Sequence, residues 1–446
     1  MEDPTPLDLL RSRMTLRTTA ALTQTVADMI TAGLLAPGDR LPTVREVAED
    51  CGMSRSAVGE AWRELGARGL IETRRRGGTV VLGKPPTPRA LRYESMIRST
   101  VSGVRDLANI RTDGLTYPDL SRAMAWSVTQ PRLHEPFAEP ITAELEDAVR
   151  RTWPFEPERF VTMHGLMDGV ELALSLLVKP GDAVIVESPT HGRILDVLEA
   201  LGARAVAVEY GVEGPDLVAL RRALVSKPVA FVYQPTGQMP SGRSVTAGWA
   251  EAAAEFLPDT LPILELSQLS LLHPEHVSLG RFRPRQVTQI RSYNLFFGAD
   301  MRVAVVGGTS ELIDAMWMRL TYSTRFVSRL VQGALAFLLT DDASRRELDA
   351  LCDGVRDRFR LLADALRARG FEVEPSAGPC VWLPVPDDHS VCTRLSQQGI
   401  AVHPGRFFQA APFPEERVHV NSAAVDGDHE EVAELIAAAC RPFPVR

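Results

Sequence analysis

Lysine is almost missing from this sequence of 446 residues, which contains three lysines, Lys84, Lys179 and Lys227, against 46 arginines. Any chemistry that requires a lysine amine is therefore confined to those three positions. The five cysteines include no pair at the CxxC spacing that metal sites and disulfide frameworks commonly use. No apolar run approaches the roughly eighteen residues of a membrane span, and the start, MEDPTPLDLL, lacks the features of a secretion signal. We therefore expect a cytoplasmic protein with no membrane partner and no metal.

Charge is distributed unevenly along the chain. The whole sequence carries a net charge of −8, with 45% hydrophobic and 24% charged residues, which is typical of globular proteins and, at this length, predicts two or three packed units. Residues 1–92 contain 14 basic against 11 acidic residues, so this segment carries +3 and the remainder carries −11. A negative total argues against a nucleic-acid partner only if the whole chain shares one task. The basic excess would place such a partner at the amino-terminal segment.

The amino-terminal segment has the pattern of three helices. Apolar residues recur at helical spacing from residue 20, and Gly33 predicts the end of this first helix. Thr43 and Glu46 form the pattern of a capping box, which predicts a second, short helix. Gly52 predicts the turn, and Ser54 can cap a third helix. The predicted buried stripe of that helix consists of Val58, Ala61, Trp62 and Leu65.

Beyond Gly69 the pattern changes from helical to extended. Two short apolar runs, 70–71 and 79–81, flank the sequence RRRGG, in which three arginines precede two glycines. Such a pair of runs around a glycine turn predicts a hairpin. The segment therefore reads as a helix-turn-helix followed by a wing with a cationic tip.

Residues 35–82 resemble the GntR family of winged-helix regulators, with an LP pair, an arginine in the short helix, SR before the longer helix, GLI, and a basic wing. The resemblance implies that the partner is a double-stranded DNA operator. The candidate DNA-binding residues are Arg45, Ser54, Arg55, Ser56, Arg74, Arg75, Arg76 and Gly77. Ser54 and Arg55 start the third helix, the end that reads bases, and arginine can bind guanine with two hydrogen bonds. For any one arginine, the alternative is an ordinary solvated side chain.

Residues 83–106, which begin GKPPTP, have no core-forming period in their first part and are predicted to form an interdomain linker. Beyond them, short apolar runs such as AVIVES, VAFVYQP and LPILEL alternate with helical segments such as GRILDVLEALG. This alternation is typical of an α/β domain with a mostly parallel sheet.

From residue 107 onward the order of these pieces resembles fold type I aminotransferases, and the fusion to a GntR-like head resembles the MocR subfamily. The motifs that carry the resemblance are KPGDAVIVESPTH, QPTG at 234–237, RSYNLFFGADMRVAVVG and GIAVHPGRFF at 399–408. We therefore expect a winged helix-turn-helix domain at 1–82, a large domain at 107–335 and a smaller C-terminal α/β domain at 336–446.

Enzymes of that fold hold pyridoxal phosphate through a lysine imine, a carboxylate on the pyridine nitrogen, and a tyrosine and an asparagine on the ring oxygen. The resemblance places Leu295 at the lysine position, Leu266 and Gln268 at the carboxylate and tyrosine positions, and Gln234 at the asparagine position. Leucine cannot form an imine, and a buried charge-assisted hydrogen bond worth about 1.5–3 kcal/mol is lost at Leu266. We therefore expect a degenerate site, no pyridoxal phosphate cofactor and no enzymatic activity.

Some polar residues persist at matched positions. Ser292 and Arg302 match the phosphate-binding cup, and Arg417 matches the arginine that binds a substrate carboxylate. With His191 and Gln234 they form the predicted pocket for an acidic small-molecule effector. The alternative is that Arg302 and Arg417 are structural residues paired with local carboxylates, and that His191 is a polar wall.

Three functions follow from these observations. The first is a regulator that binds its operator as a homodimer, because half-sites are short and two heads on one DNA bind more tightly. The second is a pyridoxal-phosphate-dependent aminotransferase with an accessory DNA-binding domain, which the missing lysine disfavours. The third is a regulator whose C-terminal domain is purely structural.

Overall fold

The chain folds as two units, residues 1–89 and residues 90–446, in the computed structural model. The residues that the structure describes are 5–14, 17–67, 69–74, 78–82, 90–98, 103–112, 114–136, 139–273, 277–376, 378–411 and 415–441. Among them, no helix combines the length and the apolar character that crossing a membrane requires. The five cysteines are all free, and three of them are buried.

The first unit consists of four helices and a three-stranded antiparallel sheet of order β1-β3-β2. Its elements are α1 Pro6–Arg13, α2 Thr19–Thr31, β1 Arg40–Leu41, α3 Val44–Cys51, α4 Arg55–Ala67, β2 Ile71–Arg74 and β3 Gly78–Val81. The three predicted helices correspond to α2, α3 and α4, and the predicted hairpin corresponds to β2 and β3. Helix α1 was not predicted, because its pattern is short and has one buried residue, Leu10.

Local sequence explains the helix-turn-helix. The side chains of Thr43 and Glu46 each bond to the other residue's backbone N–H, which is the capping box expected from the sequence. Gly52 ends α3 in the left-handed region, at φ 63°, where glycine meets no steric penalty. The predicted stripe of α4 is buried and packs with α2 and α3 in one core. The buried face of α4 therefore packs against α2 and α3, and its amino-terminal end remains exposed.

The second unit is built around a seven-stranded sheet of order β5-β11-β10-β9-β8-β6-β7. Its strands are β4 Arg105–Asp106, β5 Arg159–Met163, β6 Ala183–Ser188, β7 Arg204–Glu209, β8 Ala230–Tyr233, β9 Ile263–Ser267, β10 Val287–Ser292, β11 Ala304–Gly308, β12 Cys380–Pro384, β13 Ile400–Ala401, β14 His403–Pro404 and β15 Arg417–Asn421. Strand β11 runs antiparallel to both of its neighbours, and the other pairs in the large sheet are parallel. The prediction of a mostly parallel sheet is confirmed.

Helices cover both faces of this sheet and flank a smaller sheet. They are α5 Leu91–Arg98, α6 Leu120–Ser127, α7 Ala143–Arg150, α8 Leu166–Leu177, α9 Gly192–Ala200, α10 Leu217–Ala223, α11 Ala247–Phe256, α12 Asn294–Phe297, α13 Ser310–Leu320, α14 Arg329–Thr340, α15 Asp342–Arg367, α16 Asp388–Gln397 and α17 His429–Cys440. The smaller sheet has the order β12-β15-β14, packs against α15 and α16, and shares one apolar cluster with α17. Two apolar clusters, one on each face of the large sheet, form the main core.

The structure bears on two predicted boundaries. The predicted division at residues 335/336 falls inside α14 and within the single unit 90–446, so a separate C-terminal domain stays a prediction. The predicted linker, 83–106, extends too far, because α5 and β4 lie within it and belong to the second unit. Strand β4 pairs with β13, a contact across almost three hundred residues that the local pattern could not show.

Candidate functional site

Two regions bring the predicted functional residues together, and the first is the outer face of the helix-turn-helix. Arg45 lies on α3 and Arg55 opens α4, with 73% and 68% of their side chains exposed. Ser54 and Ser56 are exposed beside Arg55. All four residues therefore meet at the amino-terminal end of α4, the end that a helix-turn-helix presents to the major groove.

The amino-terminal end of α4 is capped by one of these residues. The Ser54 hydroxyl accepts a hydrogen bond from the Ala57 N–H at 3.2 Å and lies 2.9 Å from the Ser56 hydroxyl. Arg45 Nε donates to Glu49 Oε1 at 2.9 Å, and Arg55 Nη2 lies 3.5 Å from the same oxygen. Glu49, which sequence reasoning missed, thus holds two arginines together, and these exposed ion pairs are weak enough to yield to a phosphate.

The wing is described only in part. Arg74 is the last residue of β2, and Gly78 opens β3. The tip residues Arg75, Arg76 and Gly77 lie outside the described residues. The DNA contacts assigned to the wing therefore stay predictions from the sequence.

The second region is the carboxyl edge of the large sheet, where β6, β8, β9 and β10 all end. Parallel strands bring their carboxyl ends to one edge, and α/β proteins bind ligands there. Glu187, Gln234, Gln268 and Ser292 stand at these strand ends. We call this edge, together with the first turns of α8 and α9, the cleft.

The two leucines at the predicted cofactor positions are buried on opposite faces of the sheet. Leu266 in β9 belongs to the apolar cluster of Val170 and Ile290, whereas Leu295 in α12 belongs to the cluster on the other face. Gln268 follows β9, and its Oε1 is buried without a hydrogen-bond partner among the described residues. The positions thus lack both an amine and a carboxylate.

Arg302 lies at the amino-terminal end of α8. Gly165 precedes this helix with φ 129° and offers no side chain as a cap. A Cβ atom at Gly165 would lie 3.3 Å from Arg302 Nη2, so the glycine leaves room for the guanidinium. In the described part of the chain the first turn of α8 has no side-chain cap, so its N–H groups and a cation share one space, an arrangement that attracts an anion. Ser292, the last residue of β10, is buried, and its hydroxyl donates a hydrogen bond to Asn294 Oδ1 at 2.6 Å.

His191 caps the other helix of the cleft. Its Nδ1 accepts a hydrogen bond from the Arg193 N–H at 3.3 Å, at the start of α9. Burial lowers the pKa of His191 to about 4, so the ring is neutral at pH 7. The residue therefore provides a neutral wall and not a positive charge.

Gln234 is engaged within the protein. Its Nε2 donates to Glu187 Oε1 at 2.6 Å and to the Met239 carbonyl at 3.2 Å, and its Oε1 accepts from the Met239 N–H at 3.2 Å. Glu187 is fully buried, and burial raises its pKa to about 8. Gln234 thus supports a buried carboxyl group, which sequence reasoning missed, and its effector contact stays a prediction.

Arg417 opens β15 and pairs with a local carboxylate. Its Nη2 lies 2.8 Å from Glu415 Oε2, and its Nη1 donates to the Trp382 carbonyl at 3.5 Å. This is the arrangement expected of a structural arginine, so the described contacts favour that alternative for Arg417. Arg302 differs, because no carboxylate pairs with it in the described part of the chain.

The described lysines lie away from the cleft. Lys179 precedes β6 and Lys227 precedes β8, so both stand at the amino edge of the sheet, and both are exposed. Because a β-strand rises about 3.3 Å per residue, the full length of β6 or β8 separates each of these lysines from the carboxyl edge. Lys84 lies outside the described residues.

Two further histidines were missed by the sequence analysis. His403 in β14 and His419 in β15 are cross-strand neighbours, with ring centroids 6.4 Å apart and Phe408 against both. Burial lowers their pKa values to about 4 and about 3, and the neighbouring His403 lowers the pKa of His419 further. The signal was the alternation in RVHVN, where Val418 and Val420 face the core and His419 faces the opposite side.

Comparison with known proteins gives matches to both units. A family model described as bacterial regulatory proteins, gntR family, matches residues 18–81, and one described as aminotransferase class I and II matches residues 119–258 and 296–438. The vitamin B6 salvage pathway transcriptional repressor PtsJ of Salmonella typhimurium is 30% identical, over 88% of this chain and 91% of that protein. The uncharacterized HTH-type transcriptional regulator YdcR of Escherichia coli is also 30% identical, over 92% and 96%.

The solved structure of aspartate aminotransferase from Thermus thermophilus with maleate has a similar fold, with a TM-score of 0.69 at 24% identity, over 79% of this chain and 97% of that one. A GntR-type helix-turn-helix followed by a fold type I aminotransferase domain defines a class of bacterial transcription regulators. The chain belongs to that class, the MocR-type regulators, and to the aminotransferase class I and II family through its second unit.

Proposed function

We propose that this transcription regulator senses an acidic small molecule in the cleft and that it does so without imine chemistry. The observation that carries the proposal is the pairing of the Arg302 guanidinium with the first turn of α8, which has no side-chain cap. A helix amino terminus and an arginine together favour a phosphate or carboxylate group. Leu266 and Leu295 supply hydrocarbon where an imine-bound cofactor needs polar partners.

The described residues do not fit pyridoxal phosphate held as an imine. Lys179 and Lys227 are exposed at the opposite edge of the sheet, and Leu266 would leave a ring nitrogen desolvated and unpaired. We therefore propose that the cleft has no aminotransferase activity. No contact among the described residues favours the alternative of an enzyme.

Absorbance spectroscopy tests this part of the proposal. Mixing the protein with pyridoxal phosphate should produce no imine band beyond that of surface lysines, and borohydride reduction should place no adduct in the cleft. The matched control is a Lys179→Arg, Lys227→Arg variant, which should remove the described sources of surface imine. A reduced adduct on Lys84 that forms stoichiometrically and changes DNA binding would overturn the proposal.

A thermal-shift screen with phosphorylated and dicarboxylic metabolites tests the sensing function. Because the relative PtsJ is named for vitamin B6 salvage, phosphorylated B6 vitamers are the first compounds to try. A ligand that binds the folded state raises the melting temperature with its concentration. Arg302→Ala should abolish the shift, whereas Arg285→Ala, an exposed arginine before β10 at the amino edge, should preserve it. If no acidic compound stabilises the protein, the second unit serves assembly alone.

Operator binding follows from the GntR-type head, and we propose that the protein binds DNA as a homodimer. Arg55→Ala should weaken gel-shift binding to the promoter region beside its own gene by about 1–3 kcal/mol, the value of a lost bidentate base contact. Arg13→Ala, an exposed arginine of α1, is the matched control. Sedimentation analysis should give twice the mass of one chain, and a monomer that binds the operator at full affinity would contradict the dimer.

A further inference from the structure

Helix α5 is the first element of the second unit after the segment that follows the DNA-binding unit. It packs against α9, whose first turn carries His191 and Arg193 of the cleft. Along the chain, this eight-residue helix comes after the segment that follows the DNA-binding unit. In space, it packs against α9, the helix that borders the cleft.

A buried carboxylate of α9 holds the start of α5. Asp196 accepts hydrogen bonds from the backbone N–H of Arg92 at 3.3 Å and of Tyr93 at 3.0 Å, and from Arg92 Nη1 at 3.2 Å. Arg92 Nη1 also lies 2.8 Å from Glu199 Oε1. The first N–H groups of a helix have no partner inside it, so Asp196 serves as the cap of α5 from another helix.

Arg193 connects α5 to the anion-attracting part of the cleft. Its guanidinium lies 4.3 Å from the centre of the Tyr93 ring, in a cation–π contact. Helices α8 and α9 both start at the carboxyl edge and pack against each other, so Arg193, which is half-buried, and Arg302 stand at neighbouring helix ends. Burial lowers the pKa of Arg193, Tyr93 raises it, and the positive charge of Arg302 lowers it. Arg193 therefore has one partner on α5 and an unfavourable neighbour in the cleft.

The far end of α5 reaches the smaller half of the unit. Met96 is buried in a cluster with Met239, Trp382 and Phe408. Trp382 and Phe408 belong to the smaller sheet and its loop, and Met239 belongs to the larger half. Helix α5 thus bridges both halves beside the cleft.

We propose that α5 transmits occupancy of the cleft to the DNA-binding unit, and that the stack of Arg193 on Tyr93 is the contact that changes. An anion at Arg302 would cancel the repulsion between Arg193 and Arg302 and draw the Arg193 guanidinium away from Tyr93. The packing of α9 against α5 then weakens. Helix α5, which comes after the segment that follows the DNA-binding unit, is then less firmly fixed. This inference rests on the proposed binding of an anion in the cleft.

The test measures operator affinity with and without inorganic phosphate, with chloride added to keep the ionic strength equal. The wild-type affinity should change by about five-fold or more, the lower range of allosteric coupling. Arg193→Gln and Tyr93→Leu should bring this ratio close to one. Tyr93→Phe, which keeps the aromatic ring, should retain it, and Arg221→Gln, which removes a similar stack on Phe256 elsewhere in the unit, should also retain it.

A thermal shift with phosphate, measured on the same proteins, distinguishes a failure of anion binding from a failure of transmission through α5. Tyr93→Leu should still be stabilised by phosphate, because Tyr93 contacts Arg193 and not the anion site. If wild type shows neither a thermal shift nor a change in affinity, the proposed sensing fails and the inference with it. If wild type responds and both Tyr93→Leu and Arg193→Gln keep the full affinity ratio, the inference alone is wrong. A purely structural stack would lower the melting temperature and leave the ratio unchanged.

Discussion

Replacing His403 with glutamine should make the protein less sensitive to mild acid. His403 is buried in β14 of the smaller sheet, and burial lowers its pKa to about 4, against 6.5 for an ordinary histidine. Its Nε2 lies 3.5 Å from Asn109 Oδ1, a contact that a glutamine amide can reproduce. The variant therefore removes a titrating group and retains a polar side chain of similar size.

The sign and the size of the effect follow from linkage. Because the folded-state pKa lies below the unfolded-state value, the unfolded chain binds the extra proton between pH 6.5 and 4, and stability falls as the pH falls through this range. Between pH 7.5 and pH 4.5, one such histidine lowers the free energy of unfolding by about 2.5 kcal/mol. Glu187 acts in the opposite direction, so the useful quantity is the difference between wild type and variant.

Urea unfolding at pH 7.5 and pH 4.5, followed by tryptophan fluorescence, gives that difference. Wild type should lose about 2.5 kcal/mol more than His403→Gln between the two pH values. His389→Gln, an exposed histidine on α16, is the matched control and should titrate like wild type. If His403→Gln shows the same pH dependence as wild type, then the ring is not held neutral by burial and the reasoning is refuted.

Two other substitutions test the cleft. Burial raises the pKa of Glu187 to about 8 against 4.5, so its stabilising contribution is complete below pH 4.5 and is lost as the pH rises through 8. In urea unfolding at pH 6 and pH 9, Glu187→Gln should lose less stability than wild type at the higher pH. An equal loss in both proteins would contradict this prediction. Gly165→Val adds a side chain against Arg302 at a φ that favours glycine, so it should remove phosphate-dependent thermal stabilisation. Gly181→Val, at another positive φ with open space around it, controls for backbone strain, and equal loss in both variants would contradict a specific role for Gly165.

The helix-turn-helix and the hairpin of the first unit could be predicted because their signals are local, whereas α1 and β1 were not. The capping box at Thr43 and Glu46, the turn at Gly52 and the stripe on α4 each lie within one or two helical turns. Glu49 was missed because its role depends on two arginines that come from different helices. An exposed glutamate four residues after an arginine is ordinary in a helix, so no sequence signal marked it.

For the cleft, the sequence shows which residue types occupy the matched positions, but not the contacts that they make. The absence of lysine, and the leucines at 266 and 295, can be read directly from the chain. The pairing of Gln234 with Glu187, and of Arg417 with Glu415, depends on side-chain directions that spacing does not give. The predicted linker is too long for a related reason, because α5 is stabilised by Asp196, about one hundred residues further along the chain.

The positions of the two leucines bear on our proposal that the cleft holds no imine-bound cofactor. Leu266 and Leu295 belong to apolar clusters on opposite faces of the sheet, so a displacement of one loop would not explain the burial of both leucines. A buried lysine or aspartate without its partner would be costly in such surroundings, and a leucine adds apolar contacts on each face instead. Arg302 and Gly165 stand at a helix end where an anion remains favourable whether or not a ring is attached to it. The two parts of the cleft therefore differ in their chemistry: at positions 266 and 295 hydrocarbon side chains stabilise the core, and at the start of α8 the helix end and Arg302 favour an anion.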